Sequence, residues 1–479
     1  MIHDNGLVGW ALALVCAIGC AAAWAAPVAR TKYLLLDSRL VSRTENAVLR
    51  VGRVRKHRAN PLFAQDRPWE ARADNVYANV LYDEKAKLYK CWYSPFIIDT
   101  AHATTPKSKW EAVTYRQVQR KLRAAGKWQR VMGICYAESR DGIRWTKPLL
   151  DIHKFDGEKS NLLLIGPHGA GVFRDDREAD PKRRYKMFVR SRGMSVAFSP
   201  DGLHWGEPRP CPDIRVAGDT HNNAFWAPEA GRYVGITRTW GGKPRVRQVA
   251  RCQSDDFLKW TAAKVVLHGT RPERQTYAMP VFRYADVYLG LVMIFRTDED
   301  RVHCELTWSG DTVRWHRVDA GTPLIPNSPR KGDYDWGCAY AAACPVIRKD
   351  EIRLYYGASN GPHGNWRESF LALATLRPDG FAGFEPKDRR KAALVHTQPV
   401  LCNGSTLQVS ADAKGGRLRV AVRDAKGLAL DDAEPIEADV TDATVRWRGG
   451  GDLSSRKGKL VRLTFELKRA ELYAFRFAD

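Results

Sequence analysis

The sequence predicts an all-β fold, a five-bladed β-propeller followed by a small β-sandwich. A Ser-x-Asp-Gly-x-x-Trp type pattern occurs at residues 139–145, 199–205, 254–260 and 309–315, with a degenerate fifth copy at 377–384. Its tryptophans lie 60, 55 and 55 residues apart, and the last aromatic residue follows 69 residues later. Repetition at this period is typical of stacked or radially arranged units. From about residue 392 the pattern changes to alternating apolar and polar residues, which favours a separate sandwich.

Each repeat has the composition of one propeller blade. A short apolar run and a polar hairpin precede a β-rich run around a tyrosine; in the first repeat these are residues 79–82 and 88–93. A loop, a third strand and the Asp-Gly turn then lead to a fourth, outer strand. Asp-Gly fits a tight turn, and the tryptophan supplies an apolar wedge between units. We therefore interpret Asp141, Asp201 and Asp311 as turn residues, remote from any chemistry.

The regions outside the repeats are assigned by composition. Residues 1–25 are predicted to be a signal peptide ending at Ala23-Trp24-Ala25, so the protein is expected to be secreted or periplasmic. A poor lipobox ending at Cys20 leaves a lipid anchor as the alternative. No later stretch reaches about 18 apolar residues, so no transmembrane segment is predicted. The propeller is assigned to residues 30–391 and the sandwich to 392–479, and the insertion 98–130 is either a basic lid at the mouth or a surface elaboration.

Charge and cysteine content limit the partners. The formal net charge is +23, which suggests an anionic glycan, a membrane surface or nucleic acid, or simply a generally basic compartment. Predicted export and the lack of a nucleic-acid motif argue against nucleic acid. The eight cysteines after the signal segment have no C-x-x-C spacing, so a zinc site is not expected and buried thiols are preferred over disulfides. The sequence implies no cofactor, and it leaves a structural calcium ion in the channel and the oligomeric state open.

The repeat register predicts which residues meet at one mouth of the propeller. The segments before the first strands and the loops after the second strands open on the same face. The acidic and histidine candidates for catalysis in these segments are Asp74, Asp219, His221, Asp335, Glu70 and Glu273. The candidates for substrate binding are His168, Arg192, Arg238, Trp240, Arg296 and His363.

This set of residue types suits glycoside cleavage. One carboxylic acid protonates the leaving oxygen, and a second carboxylate acts as nucleophile or activates water. Aromatic faces suit sugar rings, and arginines bind a carboxylate or sulfate in a bidentate way. Each candidate also has a structural alternative, such as a strand cap or a buried ion pair.

The repeats, together with residues 69–84, 219–222, 332–335 and 375–381, resemble five-bladed propeller glycosidases of glycoside hydrolase families 32 and 43. The resemblance covers most of residues 60–479 as a blade pattern. It implies one acid from each of the first three blades, serving as nucleophile or base, transition-state stabiliser and general acid. Asp74 lies near the first position and Asp219 in the third blade, whereas the second-blade position holds His168. Asp175 is tempting as an Arg-Asp-Pro equivalent, but repeat alignment places it at the outer hairpin.

The sequence leaves two functions in competition. The first is a secreted glycoside hydrolase acting on an oligosaccharide or polysaccharide, with an anionic glycan as one option. The second is a non-catalytic glycan-binding propeller whose acid set is incomplete. A sialidase is disfavoured because its repeat has one more residue and its propeller has six blades. The first two differ in whether carboxylates from different blades face one pocket.

Overall fold

The computed structural model describes residues 30–423 and 425–479. The predicted signal peptide and the lipobox cysteine Cys20 lie outside these residues and stay predictions. Within them the fold is all-β, as predicted: sheets of antiparallel strands follow one another as five propeller blades, and further sheets form a sandwich. No helix in the described part of the chain is long and apolar enough to cross a membrane.

The first three blades are sheets whose strands run from the channel outward in chain order. Blade 1 consists of Asn79–Asp83, Leu88–Tyr93, Arg130–Ser139 and Leu162–Ile165. Phe96–Asp99 also pairs with its third strand, and a hairpin of Leu150–Phe155 and Glu158–Ser160 lies beside the blade. Blade 2 consists of His168–Arg174, Tyr185–Arg190, Met194–Ser199 and Arg209–Pro210. Blade 3 consists of Asn223–Ala227, Arg232–Gly241, Val246–Ser254 and Lys264–His268.

The last two blades have interrupted inner strands, and the fifth is completed by the N-terminal part of the chain. Blade 4 consists of Arg274–Ala278 with Val281–Tyr284, then Val287–Arg296, Arg301–Ser309 and His316–Arg317. Blade 5 consists of Cys338–Ala341 with Val346–Ile347, then Ile352–Ser359 and Ser369–Leu376. Its outer position is filled by Arg55–Lys56 and Phe63–Ala64, which pair with Ser369–Leu376. The ring of blades is therefore closed by hydrogen bonds between distant parts of the chain.

The Asp-Gly turns are structural, as the repeat pattern predicts. Asp201 accepts hydrogen bonds from the backbone N–H groups of Leu203 (2.8 Å) and His204 (2.9 Å). Gly202 has a φ of +82°, a conformation that suits glycine. Its carbonyl accepts a hydrogen bond from the indole of Trp92 in blade 1 at 2.6 Å. The turn of one blade is thus bonded to the blade before it.

The fifth copy of the turn differs from this prediction. The strand that follows it, Ala382–Pro386, leaves the propeller and pairs with Ala47–Val51 and Glu471–Ala478. Asp379 accepts hydrogen bonds from Lys32 (2.8 Å) and from the hydroxyl groups of Tyr284 (2.7 Å) and Ser410 (2.6 Å). The degenerate copy therefore joins the propeller to the sandwich, because blade 5 takes its outer strand from the N-terminal segment.

The sandwich contains strands from both ends of the described chain. One sheet consists of Ala47–Val51, Ala382–Pro386, Glu471–Ala478, Thr406–Asp412 and Asp439–Thr444, with Tyr33–Leu34 on Glu471–Ala478. The other consists of Val41–Glu45, Ala393–Thr397, Leu463–Lys468 and Arg417–Val422, and Val400–Leu401 pairs with Leu460–Val461 nearby. Residues 33–51 and 382–386 lie within the range predicted for the propeller, but their strands belong to the sandwich sheets.

Apolar residues fill the spaces between the layers. Trp92, Tyr136 and Met187 pack between blades 1 and 2, and Phe465 and Phe475 lie in the core of the sandwich. The eight cysteines of the described residues are unpaired, and seven of them are buried, in agreement with the preferred interpretation. No group of three or more His, Cys, Asp or Glu in the described ranges is arranged to hold a metal ion.

The insertion after blade 1 contains two helices, α1 (Thr100–Thr104) and α2 (Tyr115–Ala124). Helix α2 begins with a capping box in which Thr114 and Gln117 bond each other's backbone N–H groups. The insertion is fixed to a loop of blade 5 by Trp110, whose ring stacks on that of Trp366 at 5.3 Å.

Candidate active site

A pocket of about 220 Å³ opens at the predicted mouth of the propeller. Residues from blades 1 to 5 and from helix α2 meet there. Six of the twelve residues that the sequence predicts for the site line this pocket: Asp74, Asp219, His168, Arg238, Trp240 and His363. The other lining residues are Arg72, Phe96, Tyr115, Arg116, Gln119, Arg130, Arg247, Tyr277 and Gly364.

Asp74 is the more enclosed of the two pocket carboxylates. It lies before the first strand of blade 1, in a segment where Asp74 (φ +51°) and Val76 (φ +63°) both adopt the left-handed conformation. Such strain in a β-branched residue is uncommon and is often found at functional sites. Asp74 Oδ1 lies 2.9 Å from Arg367 Nη2 and 3.4 Å from Arg72 Nη2. Burial alone would raise the pKa of Asp74, but these guanidinium groups hold it well below its usual range.

Arg367 fixes the position of Asp74. Its side chain is fully buried, and it also donates a hydrogen bond of 2.7 Å to Asn75 Oδ1. A buried carboxylate with an arginine partner stays ionised and keeps one orientation.

Asp219, before the first strand of blade 3, is much more accessible. Half of its side-chain surface is exposed, against 11% for Asp74. Its carboxylate oxygens lie 3.2 Å from Arg190 Nη1 and 3.4 Å from Arg238 Nη2. Burial acts to raise the pKa of Asp219, but the charge of Arg238, followed by those of His168 when its ring is protonated and of Arg190, lowers it. Asp74 acts on it in the opposite direction, so the two carboxylates are near enough to influence each other.

The two histidines of the pocket are neutral at neutral pH. Burial lowers the pKa of His168, whose ring stacks on Phe96 at 5.7 Å and whose Nδ1 atom is buried without a hydrogen-bond partner. Burial, followed by the charge of Arg367, holds the pKa of His363 well below its usual range. His363 Nδ1 lies 2.7 Å from the hydroxyl oxygen of Tyr340. These rings therefore offer hydrogen-bonding atoms and flat surfaces rather than positive charge.

Aromatic and basic side chains form the remaining walls. Trp240 is 36% exposed and lies beside Arg247, whose guanidinium carbon is 4.6 Å from its ring centre. Tyr115, Arg116 and Gln119 of the insertion also line the pocket. The hydroxyl of Tyr115 donates a hydrogen bond of 2.8 Å to Asp99, at the start of helix α1. The insertion is therefore a wall of the pocket, which decides between the two interpretations that the sequence left open.

Three predicted acids lie outside the pocket. Glu70 is buried, forms an ion pair of 2.7 Å with Lys147 and accepts a hydrogen bond from Tyr93. Asp335 is also buried, 2.6 Å from Lys56 and 2.9 Å from the hydroxyl of Tyr356. Both carboxylates fix the N-terminal segment to its neighbouring blades, since Lys56 belongs to that segment and Lys147 also bonds the Ala64 carbonyl.

The third acid, Glu273, is exposed just before the first strand of blade 4 and is not among the lining residues. Its backbone carbonyl, rather than its carboxylate, accepts hydrogen bonds from the loop around it.

Three further predicted residues are also outside the pocket lining. His221 is buried with its ring stacked on Tyr77 at 5.2 Å, and burial lowers its pKa to about 3. Arg192 is exposed in the turn between the second and third strands of blade 2. Arg296 bonds Asn327 at 3.1 Å and pairs with Glu299 at 2.9 Å. Asp175, excluded by repeat alignment, does lie at the outer hairpin, paired with Lys186 at 2.9 Å.

Several arginines of the site were not predicted from the sequence. Arg247 lies on the third strand of blade 3, directly opposite Trp240 in the hairpin register. That register was readable, because both residues flank the same loop between β-rich runs. Arg72 was readable from its position two residues before Asp74. Arg367 was not, because it reaches Asp74 from a blade 5 loop at a sequence separation of 293 residues.

Comparisons with known proteins give only distant similarities. No family model and no curated protein matches the chain. Among solved structures, the chain is similar to the catalytic domain of a Coprinopsis cinerea GH62 alpha-L-arabinofuranosidase, with 13% identity over 68% of this chain and 97% of that one, at a TM-score of 0.45. A glycosyl hydrolase from Bacteroides ovatus matches with 13% identity over 68% of this chain and 94% of that one, at a TM-score of 0.45. The chain is also similar to an N-acetylgalactosamine deacetylase from F. plautii, with 13% identity over 68% of this chain and 95% of that one, at a TM-score of 0.43. Similarity at this level leaves activity and substrate to be argued from the site itself.

Proposed function

We propose that the mouth pocket binds a glycan and hydrolyses one of its glycosidic bonds. The observation that supports this most directly is that Asp74 of blade 1 and Asp219 of blade 3 line the same pocket beside Trp240. Two carboxylates on either side of a scissile bond are the usual requirement of glycoside hydrolysis. An exposed aromatic face beside them suits the apolar face of a sugar ring.

The different surroundings of the two carboxylates suggest their roles. Asp74 is enclosed and ion-paired with Arg72 and Arg367, so it suits the ionised role of nucleophile or base. Asp219 is half exposed in the free protein. A sugar that covers it would remove water and raise its pKa, because burial disfavours the charged carboxylate. Asp219 therefore suits the proton donor, which becomes protonated as the substrate binds.

The experiment measures product release from a panel of aryl glycosides and polysaccharides. We expect Asp219→Asn to lower the rate by about 100-fold or more, the usual range for loss of a general acid. Asp74→Asn is expected to lower it at least as much, but it also leaves Arg367 buried without its counterion. The variant with the same charge change is Asp255→Asn, which alters an exposed residue of the third repeat turn. Turnover that is unchanged in Asp219→Asn would contradict the assignment.

A non-catalytic glycan-binding propeller is the second candidate. The observation that favours it is that both pocket carboxylates are ion-paired with arginines and have lowered pKa values in the free protein. Neither is therefore protonated before a ligand arrives. Glycan binding at the pocket without hydrolysis of any bound glycan would support this second function over the first.

A further inference from the structure

Positive charge exceeds negative charge around the pocket. The lining residues include five arginines and two aspartates, an excess of three formal charges. The two histidines do not add to it, since burial lowers the pKa values of both. Two more arginines form ion pairs with these aspartates, Arg190 with Asp219 and Arg367 with Asp74. A neutral sugar gives no physical reason for this excess.

Two of the five lining arginines are neighbours on adjacent strands of blade 3. Arg238 lies on the strand Arg232–Gly241 and Arg247 on the adjacent strand Val246–Ser254. Both guanidinium groups lie against Tyr277, with their central carbons 4.9 Å and 5.4 Å from its ring centre. Both also lie against Trp240, at 5.6 Å and 4.6 Å. The aromatic rings thus fix the directions of two neighbouring guanidinium forks.

These guanidinium groups have more donors than partners. The Nη1 atom of Arg238 and the Nε atom of Arg247 are buried without a hydrogen-bond partner. Arg247 donates a hydrogen bond of 2.8 Å to the neutral side-chain amide of Gln275. Among the described residues no carboxylate lies within ion-pair distance of Arg247. Arg238 shares Asp219 with Arg190, so one carboxylate faces two guanidinium groups.

Buried guanidinium donors without hydrogen-bond partners are costly. Arg238 is only 4% exposed, and a buried cation is stabilised only where charge and hydrogen bonds compensate for its lost hydration. Burial already lowers the pKa of Arg247, with a further contribution from Arg238 in the same direction. A bound anion would supply the missing acceptors, and arginine forks suit planar carboxylate and tetrahedral sulfate oxygens.

We propose that Arg238 and Arg247 together bind an anionic substituent, a carboxylate or a sulfate, of the glycan that occupies the pocket. This inference rests on the proposed function in that it takes the pocket as a glycan site, but it does not depend on hydrolysis. The substrate class is therefore an acidic glycan. The arginine pair would orient its charged sugar over Trp240 and next to Asp219.

Calorimetry with matched pairs of oligosaccharides tests the inference. The carboxylate arm uses oligouronates and their methyl esters, and the sulfate arm uses sulfated galactan oligosaccharides, which carry no uronate, and their desulfated forms. We expect the acidic member of one pair to bind about tenfold tighter or more, the difference that one charge-assisted hydrogen bond provides. The preference should be lost in Arg247→Gln and in Arg238→Gln. Arg247→Lys should restore only part of it, because lysine lacks the bidentate fork.

Arg314→Gln is the matched control, since it removes the same charge from an exposed turn of blade 4. Equal binding of both members of every pair, or no binding of any acidic member, would overturn the inference. A preference that persists in both arginine variants would overturn it as well. Hydrolysis of neutral glycans only would remove this inference and leave the proposed function. Arginine-dependent binding of an acidic glycan without hydrolysis would support this inference and contradict the proposed hydrolysis.

Discussion

Asp74 and Asp219 are the same residue type in two electrostatic settings. Asp74 has Arg72 and Arg367 as its nearest cations, and both are buried. Asp219 faces Arg238, Arg190 and His168, and the like-charged carboxylate of Asp74 acts on its pKa in the opposite direction. Each aspartate thus has its own arginine pair, so a change in one pair acts mainly on its own aspartate, although Asp74 also influences Asp219.

This separation gives a prediction about pH dependence. Arg238 contributes most to lowering the pKa of Asp219, so Arg238→Gln should move the titration of Asp219 to higher pH. Asp74 should titrate as before, because its lowered pKa depends on Arg72 and Arg367. Nuclear magnetic resonance of carbon-labelled aspartate, with Asp219→Asn to assign the signal, measures both. A titration of Asp219 that is unchanged, or that moves to lower pH, would contradict the geometry.

At the scale of elements, the Asp-Gly turn has two different uses. In the regular copies the aspartate bonds its own turn, as Asp201 does with the N–H groups of Leu203 and His204. In the fifth copy Asp379 bonds Lys32, Tyr284 and Ser410, which belong to three different parts of the chain. One sequence position thus serves a local turn in four blades and a junction in the fifth.

We expect substitutions at these two aspartates to differ in cost. Asp201→Ala should lower the free energy of unfolding by about 1 kcal/mol, the usual effect of losing a capping side chain. Asp379→Ala should cost more, near the lower end of about 3–5 kcal/mol, because it breaks a buried ion pair. Lys32 keeps Asp442 as a second partner at 2.8 Å, which limits the loss. Urea unfolding of both variants measures the difference, and Asp311→Ala should behave like Asp201→Ala. Equal losses at positions 201 and 379 would contradict the junction role.

The same elements show what could be predicted from sequence. Local patterns were sufficient for blades 1 to 4, because their turns and hairpins are formed by neighbouring residues, but not for the outer strands of blade 5, which come from the N-terminal segment. The mouth was predicted in part, since Asp74, Asp219 and His363 follow from the repeat register. Glu70 and Asp335 were placed at the mouth by the same register, but they are bonded to lysines that are distant in sequence. Such pairing depends on how the ring closes, and no repeat pattern contains it.

At the scale of the whole molecule, the N-terminal segment holds the fold together. It pairs with the sandwich through Val41–Glu45 and Ala47–Val51, and it then completes blade 5. Lys147 of blade 1 bonds this segment at the Ala64 carbonyl (2.7 Å) and at Asp66 (2.8 Å). The closure of the ring and the attachment of the sandwich therefore depend on one continuous stretch. The site lies at the mouth of this ring, so its blades are held in register by contacts far from the pocket.

The pair of Lys147 and Glu70 tests this closure. Lys147→Met should lower the free energy of unfolding by about 3–5 kcal/mol, because it leaves the buried Glu70 carboxylate without its cation. The double variant Lys147→Met with Glu70→Gln should recover a large part of that loss, since no unpaired charge then remains. Urea unfolding of the two single variants and the double variant measures the coupling. Glycan hydrolysis by the double variant should stay close to the native rate, because neither side chain lines the pocket. A loss of activity in a stably folded double variant would contradict this purely structural role and support Glu70 as a catalytic residue.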